Sequence, residues 1–384
     1  MNVILGTDVR LMTLFGRYYL YNAFGSILSR YVDYFGSVTL VCRVTKIEKI
    51  EKGMLDVSSC IKKVIAVDNL EACFHPTFSR RLSEEVKDAD LVIVRAPSII
   101  SLFVSKAARK HGVPYLAEAM GDAWDANWNH SVSGKIIAPF MLLEMKKLFA
   151  KANYGLYVTS KFLQERYPCK GMTEGISNVR ISSLSESVLH ERYHHIERCE
   201  LRKINLMTTA AVNVRFKGQE YMIRALKLLK KKGINATYYL AGGGDQSYLR
   251  CIAAKEGVED QVVFLGHLPV EEVMYYLTVA DIYVQPSLQE GLPRSVIEAM
   301  SCGCPCIGAK TAGIPELLDE RFIVKRKSVD QLAQVIEEYL SLSIEEKKNV
   351  ATRNFYEASN YEEDKLDKRR DIFFGKIISE IQSK

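Results

Sequence analysis

An α/β fold of two Rossmann-like domains facing each other across a cleft is predicted by this 384-residue sequence, on three observations. Short β-rich runs alternate with helix-period segments in two successive series, the signature of parallel sheets covered by helices. Between the series, residues 168–200 break the rhythm with Pro, Gly, Ser and the charged stretch Glu191-Arg-Tyr-His-His-Ile-Glu197. Several strands of the second series run into glycine- or carboxylate-bearing loops, and open α/β sheets hold ligands beyond the C-terminal strand ends.

In the first series the strands are Val3–Thr7, Val38–Val44, Val64–Val67, Leu91–Val94, Tyr115–Glu118 and Gly155–Thr159, with helical patterns around Phe15–Arg30, Ile99–Lys110 and Lys135–Ala150. The second series opens with Ile204–Thr208 and a helix over Gln219–Lys232. Strand Thr237–Leu240 then runs into Gly242-Gly-Gly-Asp245. Strand Val262–Leu265, helix Val270–Thr278, strand Ile282–Gln285, helix Arg294–Cys302 and strand Cys306–Gly308 follow. These readings give domains over residues 1–200 and 201–343, with further helices over 344–384.

Composition removes several classes. Apolar residues make up 48% and charged residues 26%, ordinary for a globular protein. The apolar run Ile136–Leu143 contains Pro139 and falls far short of the roughly 20 residues a membrane span needs. The N-terminal strand-like run has no signal-peptide pattern, so a cytoplasmic protein is expected. Nine scattered cysteines fit reduced thiols, and Cys302-Gly-Cys304-Pro-Cys306 reads as packing of a helix end against a strand. The net charge is +6, and residues 1–200 carry 26 Lys and Arg against 21 Asp and Glu. No run is basic enough for a nucleic-acid groove. The excess would suit peripheral association with the inner face of an anionic membrane, a phosphorylated acceptor, or equally a solvated surface.

The most informative segment is Gln285-Pro-Ser-Leu-Gln-Glu290-Gly291-Leu292-Pro293-Arg294-Ser-Val-Ile-Glu298-Ala-Met300. A buried strand ends in a loop bearing a carboxylate, and Pro293 suits the first helical position. Free N–H groups and the helix dipole at such a start favour a diphosphate. Glu290 and Glu298 are suited to accept hydrogen bonds from sugar and ribose hydroxyls. Taken alone, Arg294 and Glu298, four apart, would equally make an exposed helix pair.

This segment resembles the E-x7-E motif of the family 4 retaining glycosyltransferases of GT-B fold, above all those of bacterial capsule and exopolysaccharide synthesis. Its flanks Ala280–Ser287, Gly303–Ile307 and Gly313–Glu316 match as well, and Arg215-Phe-Lys217-Gly218 resembles the Lys-Gly that opens the donor domain's first helix. The resemblance is strong over residues 203–340. It implies a metal-independent transferase of a hexose-type sugar from a nucleotide-sugar donor, a UDP-sugar for example. The acceptor would be a glycan or lipid-linked hydroxyl, met by the N-terminal domain, while the C-terminal domain holds the donor. Glu290 would hold the transferred sugar and Glu298 the ribose. Lys217 would meet the diphosphate, and the backbone amides following Glu290, those of Gly291, Leu292 and, past Pro293, Arg294, the sugar and phosphate. The family's usual arginine before the lysine is replaced by Ala211 and Val212, with Arg215 as a substitute.

Weaker assignments complete the site. Gly242 and Gly243 would let the backbone approach the nucleotide, and His267 with Leu268 would wall the base. Gly16 would let a helix approach the donor phosphates. Arg95, Glu118, Asp122, Trp124 and Trp128 would form the acceptor side, aromatic faces beside carboxylates being a common sugar platform. Asp122 is the candidate acceptor-side catalytic contact. Asp88-Ala-Asp90 has metal-binding D-x-D spacing but begins a strand and reads as structural. A nucleotide-sugar epimerase and a non-catalytic partner subunit are the alternatives.

Overall fold

The computed structural model describes residues 1–198 and 203–383. The chain divides into two compact units, Met1–Asn178 with Lys368–Lys384, and Val179–Asp367. The domain boundary expected at residues 200 and 201 falls outside the described residues.

In unit 1 the elements are β1 (Val3–Leu14), β2 (Arg17–Tyr21), α1 (Asn22–Phe35), β3 (Val38–Lys46), β4 (Met54–Asp56), β5 (Ile61–Val67) and α2 (Pro76–Val86). They continue with β6 (Leu91–Ala96), α3 (Ile99–His111), β7 (Tyr115–Ala119), α4 (Ala123–Trp128), α5 (Val132–Ala150), β8 (Tyr154–Tyr157), α6 (Phe162–Arg166) and β9 (Met172–Gly175). Strands β5, β3, β1, β6, β7, β8 and β9 lie side by side in parallel. Their central members are buried on both faces, as near-continuous apolar sequence requires.

Here the first expected helix moves. Strand β1 continues to Leu14 past a register shift between Gly6 and Arg10, then folds back through Phe15-Gly16 onto antiparallel β2. Both turn residues have positive φ, 48° and 76°, the backbone that tight hairpins favour. The helix expected from Phe15 therefore starts at Asn22. Gly16 is the tip of this hairpin, with open space for 4 Å around the position a methyl group would take, so no helix uses it for close approach. Helix α3 has a filled N-terminus. Asp8 accepts from the amides of Ile99 and Ile100 and from Ser98 Oγ, the placement a helix dipole favours for a carboxylate. Asp90 accepts from the Asn2 amide at 2.6 Å, anchoring the start of the sheet.

Unit 2 comprises α7 (Glu186–Arg198), β10 (Lys203–Thr209), α8 (Gln219–Lys231), β11 (Asn235–Ala241), α9 (Ser247–Glu256), β12 (Val262–Gly266), α10 (Val270–Val279) and β13 (Ile282–Gln285). After these come α11 (Arg294–Ser301), β14 (Cys306–Ala309), α12 (Ile314–Leu317), β15 (Ile323–Val324), α13 (Val329–Ser341), α14 (Ile344–Ser359) and α15 (Glu363–Gln382). Helix α15 begins in this unit, and its residues from Lys368 onward belong to unit 1. All six strands are parallel in the order β12-β11-β10-β13-β14-β15, the doubly wound Rossmann order, which reverses between β10 and β13. Ligands collect beyond the strand ends at such a reversal.

Much of the stretch read as a linker is ordered secondary structure. Met172–Gly175 is an edge strand of unit 1, and Glu186–Arg198 is a helix of unit 2. Buried Arg192 fixes that helix by donating to the carbonyls of Leu277, Ala280 and Cys302, which end α10 and α11. These are carbonyls that helix termini leave without intrahelical partners. Cys302, Cys304 and Cys306 are buried where α11 gives way to β14, and burial pushes the Cys302 thiol up to about 12. Such thiols are unreactive packing groups.

Candidate functional site

Three loops of unit 2 converge at the β10/β13 reversal. After β10 the chain makes a short turn over Arg215–Lys217, and Gly218 starts α8 with φ of 73°. This turn is sewn to the loop after β13: Leu288 N donates to Phe216 O at 2.7 Å, and a methyl group on Gly218 would stand 2.1 Å from Pro286 O. Only glycine combines that φ with that proximity. The consequence is positional, because it puts Lys217 against Glu290, Nζ to Oε1 at 2.8 Å.

Glu290 is held from a second side. Gln285 Nε2 donates to Glu290 Oε1 at 3.0 Å and to Ser287 Oγ at 2.8 Å, while its own Oε1 accepts from Tyr283 OH and Ser295 Oγ. Tyr283 OH in turn accepts from the Thr209 amide. A polar chain thus runs from the end of β10 through β13 to the carboxylate. It locks one carboxylate oxygen, while the other, Oε2, has no partner among the described residues. The side chain is 9% exposed. Sequence reading missed Gln285, Tyr283, Ser295 and Thr209; a glutamine at the end of a wholly buried strand was the available signal.

Beyond Glu290, Gly313 N donates to Gly291 O at 2.8 Å and Thr311 Oγ1 to Ser287 O at 2.7 Å, fixing the approach to α11. Pro293 stands as the N-cap rather than the first helical residue, and no side chain caps this helix. Its first amides are therefore not taken by a cap, as an anion-binding start requires. Leu292 is buried and Arg294 exposed.

Glu298 lies one turn further along α11 on the wall of a cavity of about 390 Å³. Leu268, Val270, Val273 and Met274 supply its apolar side, and Thr209 and Ser301 add hydroxyls. The Glu298 carboxylate has no hydrogen-bond partner among the described residues, and Thr209 Oγ1 is buried without one. Burial raises the Glu298 pKa, with Arg294 pulling it back. No ion pair joins Arg294 to Glu298 among the described residues, so the exposed helix pair is not what the sequence builds.

The remaining donor-side candidates take more varied positions. The Arg215 guanidinium stacks over the Tyr248 ring at 4.3 Å. His267 is exposed beside Gly243, its Cβ 3.7 Å from where a methyl there would stand. Gly242 is required by the protein itself: a methyl would meet Ala210 O at 2.0 Å, so the close approach is to the loop after β10.

Unit 1 brings its candidates together in two clusters. Arg95 and Glu118 are register partners on β6 and β7, both buried, and join at 2.6 Å. Tyr31 OH and Asn178 Nδ2 also donate to Glu118, so this pair spends its hydrogen bonds internally. Asp122 is buried, accepting from Tyr167 OH and, at 3.4 Å, from Arg166 Nε. Trp124 and Trp128 lie on helix α4 rather than in a loop. Their spacing of four stacks the rings at 5.0 Å and 15°, with Trp128 exposed.

With this geometry in place, comparison with known proteins is decisive for unit 2: residues 202–357 match the family Glycosyl transferases group 1. Protein CapJ of Staphylococcus aureus is 28% identical over 312 residues, 80% of this chain and 77% of CapJ. The amylovoran biosynthesis glycosyltransferase AmsK of Erwinia amylovora is 37% identical over 110 residues, a match spanning only 27% of each chain. Among solved structures, sucrose-phosphate synthase from Thermosynechococcus elongatus superposes with a TM-score of 0.67 at 14% identity, covering 99% of this chain and all of the synthase. Anabaena HepE in complex with UDP-glucose gives 0.63 at 16% identity, covering 99% and 100%. The fold of the chain is GT-B.

Proposed function

We propose that this glycosyltransferase moves a hexose-type sugar from a nucleoside-diphosphate sugar to a hydroxyl of a glycan or lipid-linked acceptor, with retained configuration and without a metal. The observation that carries the reading is the Lys217–Glu290 pair at the uncapped start of α11, with the unpartnered Glu298 carboxylate on the adjoining cavity wall. A role in cell-surface polysaccharide synthesis is supported by the names of AmsK and of the putative colanic acid biosynthesis glycosyltransferase WcaL of Escherichia coli, 31% identical over 36% of each chain. HepE, named with UDP-glucose, favours a UDP-sugar as donor.

In this reading the base lies against Leu268 and His267, and Glu298 with Thr209 takes the ribose hydroxyls. The diphosphate meets Lys217 and the amides from Gly291 onward, and Glu290 accepts from the sugar. The acceptor oxygen attacks the anomeric carbon on the face the diphosphate leaves, and its proton passes to the departing phosphate oxygen. Lys217 stabilises the charge that builds there. Asp122, Trp124 and Trp128 serve the acceptor, with Gln285 as a positioning residue for Glu290.

A thermal-shift series of UDP-, GDP- and ADP-sugars identifies the donor, and transfer assays with Glu290→Gln test the site. Loss of a charged hydrogen bond should lower turnover by about 1.5–3 kcal/mol, roughly ten- to a hundredfold, while free-nucleotide affinity changes little. Activity should persist after exhaustive chelation. Unchanged turnover in Glu290→Gln removes Glu290 from the site, and metal-restored turnover overturns the metal-free reading.

A further inference from the structure

We infer that α5 and the basic hollow at its C-terminal end form a docking face for an anionic lipid bilayer. Helix α5 is 19 residues long and turns large apolar side chains outward. Val132 is 79% exposed, Ile136 78%, Phe140 51% and Leu143 56%. The first three follow each other at intervals of four, and Leu143 adjoins them on the same face. Water-soluble surfaces rarely leave so contiguous an apolar stripe uncovered.

Charge identifies the occupant. From Leu143 the row continues at intervals of four through Lys147 and Lys151, so the apolar stripe runs directly into cations. These two line a hollow of about 240 Å³ with Lys106 and Arg109 of α3. Glu144 is also on its wall, paired with Lys147 at 2.9 Å and Lys106 at 3.4 Å. Four cations against one carboxylate leave a positive pocket sized for a phosphate headgroup. At the other end, Lys135 Nζ stands 5.7 Å from the ring of exposed Trp128, an amphipathic side chain of the kind found at membrane–water boundaries. No helix of the described residues is long and apolar enough to cross a membrane. A helix with outward apolar residues and a lysine rim instead lies in the interface plane. A second copy fits less well, because antiparallel two-fold pairing along α5 would set the cationic end of each helix on the apolar stripe of the other.

The inference is independent of the transfer chemistry proposed above. Its test is flotation of the full chain with phosphatidylcholine vesicles, with and without phosphatidylglycerol. Binding is expected only with phosphatidylglycerol and should weaken with salt. Lys147→Gln/Lys151→Gln should weaken it about fivefold per charge removed. Ile136→Ser/Phe140→Ser should weaken it at least about tenfold by removing inserted apolar area. Both variants should keep the wild-type melting temperature, since the altered side chains are exposed. Equal binding to both vesicle types, or none, overturns the inference. So does a solution dimer, abolished by Ile136→Ser/Phe140→Ser, in a protein that ignores vesicles.

Discussion

Glu298 is a half-buried carboxylate with no hydrogen-bond partner among the described residues, and its protonation sets up opposite pH trends in the empty and loaded protein. Burial raises its pKa above the usual value near 4.5. A raised carboxyl pKa means the folded state holds the proton more tightly than the unfolded chain. The stability this group contributes is therefore greatest below its unfolded pKa and is lost as pH rises through the raised value. In the proposed reading the ionised carboxylate accepts from ribose, so donor affinity should fall as pH drops through that same raised pKa. Calorimetric titration with the nucleotide over a pH series should show this inflection, and Glu298→Gln should abolish it while weakening binding by about 1.5–3 kcal/mol. The spacing of Glu290 and Glu298 was readable because it is local in sequence. The polar chain through Tyr283 and Gln285 was not, since its only mark in the sequence is one glutamine ending an otherwise apolar strand. Nor could sequence reveal that Arg95 and Glu118 face each other, because strand register is not written in either strand alone.

At the level of elements, the site depends on the turn before α8 more than on any strand. Gly218→Ala must reconcile a φ of 73° with an overlap at Pro286 O. A cost on the order of 1–3 kcal/mol is expected, with Lys217 displaced from Glu290. Gly16→Ala, with similar φ but open space around it, should lose only about 1–2 kcal/mol and leave donor affinity intact. Melting curves paired with nucleotide titrations separate the two outcomes: equal affinity loss in both variants, or none in Gly218→Ala, would detach this turn from the site. The buried parallel strands of both series were legible because they read as apolar runs between turn residues; the edge strands β9, little buried, and β15, two residues long, were not. The hairpin of β1 with β2 was not, since Tyr18-Tyr19-Leu20-Tyr21 suits a helix face as well as a strand. Helix α7 was hidden by its charge; what fixes it is Arg192, satisfied by carbonyls far along the chain.

For the whole molecule, the residues proposed for the donor, from Lys217 to Glu298, belong to unit 2, whereas Trp124 and Trp128 belong to unit 1. Trp128→Ala should therefore leave nucleotide affinity and melting temperature close to wild type while reducing transfer to acceptor. Asp122→Ala is a poorer probe, since it strands Tyr167 and Arg166 without their buried partner. Measured transfer at the normal rate by well-folded Trp128→Ala would take this ring out of the acceptor side. The two-series pattern made the architecture readable. The membership of residues 368–384 did not follow from it, because that depends on packing between segments far apart along the chain.

That membership has a consequence for how the protein is made. Phe374 packs against Tyr34 and Phe35 at ring distances of 4.8 and 5.3 Å, and Tyr34 OH donates to Asp371. Arg369 reaches Glu174 at 2.6 Å. Of the two units, the one that leaves the ribosome earlier is thus finished later: its sheet is complete at residue 175, but its aromatic core lacks a wall until residues 368–384 emerge. At ordinary rates of synthesis that interval lasts roughly 10–40 s. Throughout it, Tyr31, Tyr34 and Phe35 present an uncovered apolar surface on the nascent chain, a natural place for a chaperone to wait.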